Sequence, residues 1–146
     1  MGTLAQSIIR KYDISPDCVV GYFDIGFHPE NGNDKIDPGP LFPWKELYEQ
    51  YGVGVWLTPQ ERSFYAAAMR QESLYQQDKS RFVLEYMKKY GYQIHDANNP
   101  ESEFNKKAFL AFRSHFSKNG CVDFDQGSVS GNDCAWAYGL VKKYRS

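Results

Sequence analysis

Apolar positions along this chain recur mainly at helical spacing, in runs broken by glycine, proline and asparagine turns. Residues 3–12 set Leu4, Ile8 and Ile9 on one helical face, and Pro16 blocks a simple continuation. Residues 18–27, CVVGYFDIGF, switch to β-branched and aromatic types, which predicts a short strand with Gly21 or Gly26 allowing a bend. From Pro29 to Pro43 the prolines, with Asn, Gly and Asp between them, support a loop. WKELYEQY, residues 44–51, reads as a two-turn helix that Gly52 can close, and VGVWL, residues 53–57, as an extended connection.

Thr58, Pro59 and Glu61 form a capped helix start with proline at the first helical position. The stretch 59–78 that follows is rich in Gln and charge, with Phe64, Tyr65, Met69, Leu74 and Tyr75 as its large apolar candidates, and is expected to be a partly exposed linker helix. Three amphipathic segments come next. Phe82, Val83, Tyr86, Met87 and Tyr90 share a face before Gly91; Phe104, Ala108, Ala111, Phe112 and His115 share another after the Asn98-Asn99-Pro100 turn. Ala137, Leu140, Val141 and Tyr144 align on the last. The fold expected is mainly α with a small β element: a segment over 1–57, a linker helix over 58–78 and a three-helix bundle over 79–146.

A length of 146 residues suits one ordinary domain or two small ones. With 17 basic and 18 acidic side chains the formal net charge is −1, so no broad basic field draws the chain to nucleic acid. No apolar run reaches the roughly 18 residues of a membrane span, and the N-terminus lacks the order of a secretory signal. Cys18, Cys121 and Cys134 show no CxxC spacing and read as reduced thiols, a Cys121–Cys134 bridge being the alternative for an exported protein. Aromatic residues make up 16% of the chain, which suits ring-packed cores and carbohydrate-facing surfaces equally. Most such rings belong to cores. Trp136 and Tyr138 lie off the stripe of the last helix, however, and are therefore the candidates for an exposed binding surface.

The stretch VVGYFDIGFHPENGNDKIDPGPLFPWKELYEQYGVGVWL, residues 19–57, resembles the closing segment of zinc N-acetylmuramoyl-L-alanine amidases of the AmpD and AmiD kind, and DPGPLFPW is its specific part. The remainder resembles the AmiD type, in which a small three-helix peptidoglycan-binding module follows. The resemblance implies a truncated α/β amidase segment over 1–57, and it implies zinc, held in the family by two histidines and an aspartate with water in the open position. Asp37 matches the aspartate ligand, and Lys35 matches a lysine that stabilises the oxyanion. Phe42 and Trp44 would anchor the following helix. Tyr22 stands where the family's GH motif supplies a zinc histidine, and the family's other histidine and general acid-base carboxylate fall before residue 1. The zinc of the family is therefore expected not to be retained by this chain alone. His28, in the loop, is read as solvated, and His95 and His115 as structural.

Three classes of function follow. The first is a peptidoglycan- or muropeptide-binding remnant, not catalytic alone. The second is a split amidase completed by a separate N-terminal half, and the third is a protein-binding scaffold. A truncated sheet would leave an uncovered face, so self-association is expected in each case. The cell envelope and the bacterial cytoplasm both stay open as locations.

Overall fold

The computed structural model describes residues 1–26, 37–117 and 129–146. Its described residues form helices and connecting turns. Helix α1 (Gly2–Tyr12) is followed by a 3-10 turn at Pro16–Cys18 and the single turn α2 (Tyr22–Ile25). Then come α3 (Trp44–Tyr51), α4 (Pro59–Met69), α5 (Ser73–Gln77), α6 (Lys79–Tyr90), α7 (Glu103–Phe112) and α8 (Gly131–Tyr144), with a π-helical turn at Arg113–Ser117 continuing α7. No helix among the described residues is long and apolar enough to cross a membrane.

Caps fix the element ends where local chemistry indicates them. The Thr58 hydroxyl accepts from the Glu61 N–H at 3.2 Å with Pro59 at the first helical position. Asp78 and Ser102 do the same for α6 and α7, and Ser130 with Asp133 forms a reciprocal capping box on α8. Gly52 closes α3 in the left-handed region at φ 64°.

Helix α8 lies at the centre. Helices α4 and α6 both pack along it, and every residue from Asp133 to Leu140 is buried. This corrects the expected surface: Trp136 is 2% and Tyr138 5% exposed. A stripe argument assumes that one side of the helix faces water, but here both sides are covered. Trp136 packs edge-on to Trp56, and Tyr138 against Tyr65, Phe82 and Tyr86. Gly139 is needed at the α4 side, because a β carbon there would lie 2.7 Å from Leu57 Cδ1 and 2.8 Å from Tyr65 Cδ2.

Three other expectations change. The strand expected over 18–27 is not a strand over its described residues 18–26, which form the end of the 3-10 turn, an extended link and α2. Its β-branched residues Val19 and Val20 have no strand to pair with among the described residues, and Asp24 closes a turn by accepting the Gly21 N–H. Residues 59–78 are two helices rather than one, with α4 packed on α8. Leu4 and Ile8 do not share the buried face of α1: Ile9 and Ala5 pack inward, while Leu4 and Ile8 face out. Around the boundary expected near Leu57, the residues Val55, Trp56 and Leu57 are buried.

Several buried polar groups are paired within the core. Asp133, fully buried, meets Arg113 at 2.8 Å and the Ser117 hydroxyl at 2.8 Å. Asn105 donates to the Asp96 and Asn99 carbonyls, which pins the loop before α7. The end of α8 reaches back along the chain. Lys143 binds Glu61 at 2.9 Å and the Trp56 carbonyl at 3.1 Å, the Tyr144 hydroxyl donates to the same carbonyl, and Arg145 pairs with Asp17 at 2.9 Å.

Candidate functional site

Two segments that carry the sequence motifs lie side by side. The Phe23 N–H donates to the Asp37 carbonyl at 2.9 Å, and the Pro38 ring sits close against Gly21. Behind them, Trp44 is buried and Phe42 tilts onto it with ring centroids 4.6 Å apart, so the anchoring expected of this pair is present. Tyr22 and Asp37 are both exposed at this edge. Lys35 and His28 lie outside the described residues, as does Cys121.

A catalytic zinc needs three protein ligands and an open position. Among the described residues no three His, Cys, Asp or Glu side chains gather as a metal-holding group. Asp37 offers one carboxylate, and the exposed phenol of Tyr22 is a poor substitute for imidazole. The described donor set does not fit such an ion.

Directly behind Tyr22, the structure assembles a cluster that the sequence reading missed. Asp24 is buried. Its Oδ2 accepts the Gly21 N–H at 2.8 Å and lies 2.7 Å from His115 Nδ1, while its Oδ1 accepts the Tyr92 hydroxyl at 2.5 Å. A carboxylate can only accept, so Nδ1 is assigned as the donor. His115, 3% exposed, is sandwiched between Trp44 and Phe116 with centroids at 3.9 and 4.1 Å, both nearly parallel. Its Nε2 is buried and has no hydrogen-bond partner among the described residues. A cavity of about 80 Å³ beside the cluster is lined by Asp24, Tyr92, His115 and Phe116, with Asp17 and Arg145.

Burial, then the adjacent Asp24 carboxylate, pushes the Tyr92 phenol well above its ordinary range, so it remains a donor. The cluster therefore works as an anchor: α7's π-helical extension and the start of the 92–97 loop hold the GYFD turn through one carboxylate. His115, read from the sequence as structural, faces Asp24, Trp44 and Phe116. One signal was readable, because Asp24 sits in an otherwise apolar run where an unpartnered carboxylate would be costly. His95 stacks on Phe104 at 3.5 Å. Cys18 and Cys134 are free thiols, the first exposed and the second buried.

In sequence and in fold this chain is homologous to the AmpD/AmiD-type N-acetylmuramoyl-L-alanine amidases. It is 33% identical over 144 residues to N-acetylmuramoyl-L-alanine amidase AmiD of Escherichia coli K12, a match that covers 97% of this chain and 46% of AmiD. The crystal structure of AmpDH3 from Pseudomonas aeruginosa superposes with a TM-score of 0.75 at 30% identity, covering 99% of this chain and 52% of that one. The same protein in complex with anhydromuramic pentapeptide gives 0.72 at 30% identity, covering 98% and 51%. This chain thus spans about half the length of the relatives it matches. No family model matches it.

Proposed function

We propose that this chain is an amidase-derived protein that binds peptidoglycan or muropeptides and does not hydrolyse them by itself. The observation that supports this reading is the exposed Tyr22 beside Asp37, at the position where the family's motif carries a zinc histidine, with no three-ligand group among the described residues. In this reading Asp37 and Lys35 are remnants of the metal and oxyanion positions. Residues 1–57 are the end of an amidase domain, and 79–146 are the three-helix module that meets the wall. With Trp136 and Tyr138 buried, that contact must be made by other side chains.

Sedimentation with insoluble peptidoglycan tests the binding, which is expected to be saturable. Zinc analysis of the natural chain against Tyr22→His tests the rest, with less than one equivalent expected for the natural chain. A tightly held stoichiometric zinc, or release of stem peptide from muropeptides by the unaided chain, would overturn the reading.

A second reading is favoured by α1. Leu4 (66% exposed), Ile8 (43%) and Tyr12 (65%) form an apolar stripe facing water, on a helix whose other face is already packed. Such a stripe suits a second copy of the chain or a separate amidase half that would supply the missing ligands. This reading fails if light scattering shows a monomer and if adding the front half with zinc releases no stem peptide.

A further inference from the structure

We propose that the cleft between α4, α5 and the start of α8 takes a carboxylate of a peptidoglycan stem peptide, gripped by Arg62 and Arg70; this inference rests on the wall-binding reading above. The cleft has a volume of about 300 Å³. Arg62, Ala66 and Arg70 follow one another at four-residue steps along α4, so two guanidinium groups flank a small residue and leave a gap between them. Tyr75 and Asn132 bring polar groups from the facing side, and the Tyr75 hydroxyl lies 3.3 Å from where a β carbon of Gly131 would stand.

Arg62 is the unusual member. Its guanidinium lies over the Trp136 ring, 5.2 Å from the centroid, and its Nε is buried with no hydrogen-bond partner among the described residues. Other cations that are shielded from water have found acids: Lys143 holds Glu61, Arg113 holds Asp133, and Lys106 lies beside Glu101 and Glu103. No ion pair joins Arg62 or Arg70 to an acid among the described residues. A planar carboxylate matches the guanidinium fork and would pair with Arg62 through its terminal nitrogens, which the protein leaves without an acid among the described residues. Ala66, Met69 and Ala135 line the same cleft with apolar surface, which suits the aliphatic part of a peptide better than an isolated phosphate. The contact with Trp136 also gives that buried ring a role: it holds the Arg62 group in position.

Isothermal titration of the full chain with a soluble N-acetylmuramoyl tetrapeptide bearing free carboxylates tests the proposal. Saturable binding is expected, weakened about tenfold or more in Arg62→Gln, in Arg70→Gln and with the fully amidated peptide. Arg62→Lys, which keeps the charge but loses the fork, should fall between. Arg70 is exposed, so Arg70→Gln should melt as the natural chain does and keep the test interpretable. Equal binding by the glutamine variants, equal binding of the amidated peptide, or displacement by inorganic phosphate at matching concentration would each overturn it. If the chain pellets with peptidoglycan yet binds no soluble stem peptide, this inference falls and the wall-binding reading stands. If it does neither, both fall.

Discussion

Asp24 takes three donors while shielded from water, so each donor can be weighed by removing it. Tyr92→Phe deletes the hydroxyl that reaches Oδ1 and is expected to cost about 1.5–3 kcal/mol in urea denaturation, the range for a hydrogen bond to a charged group. His115→Ala should cost more, about 3–5 kcal/mol, since it strips the carboxylate of its imidazole and opens a hole between Trp44 and Phe116. The raised Tyr92 pKa also has a pH signature. A phenol whose folded pKa lies above its ordinary 10.0 contributes stability that is complete below about pH 10 and lost as pH climbs through the folded value. Alkaline unfolding should therefore steepen above pH 10 in the natural chain and flatten in Tyr92→Phe. For the thiols, burial first and Asp133 second push Cys134 up to about 12, outweighing Lys79, whereas Cys18 is exposed. A thiol reagent at neutral pH should label Cys18 in the native protein and reach Cys134 only on unfolding.

Helix ends were the most legible elements, because a cap is decided within a few residues. Thr58-Pro59-x-Glu61 and the Gly52 stop are both readable in the sequence alone, and both carry predictable costs. Thr58→Ala should lose about 1 kcal/mol, and Gly52→Ala, which forces a β carbon into the left-handed region, about the same or slightly more. Thermal melts of the two variants would check this. Elements whose fate depends on distant neighbours read poorly. Val19 and Val20 have strand-type side chains, yet no strand lies beside them among the described residues. Trp136 and Tyr138 were judged by a one-sided helix, while α8 is enclosed from both sides. His115 and Asp24 are far apart in sequence, and no periodicity connects them. Tyr22 and Asp37 stand out in the sequence by their motifs, whereas the arginines of α4 do not, since only the folded chain shows which cations lack an acid among the described residues.

At the level of the whole molecule, one core extends from Phe23 to Leu140, so the front segment and the later helices are expected to unfold in a single transition by near- and far-UV signals. The outward stripe of α1 contributes little to that core. Replacing Leu4 and Ile8 together by Asp should leave stability within about 0.5 kcal/mol per site while abolishing any concentration-dependent mass seen by light scattering. The return contacts of α8 bear on how such a chain is made. Lys143, Tyr144 and Arg145 are translated long after their partners Glu61, Trp56 and Asp17. During synthesis the segment that carries those partners must wait, half-tethered, until the three side chains clear the ribosome, and in that interval a chaperone or a sister chain can seize it.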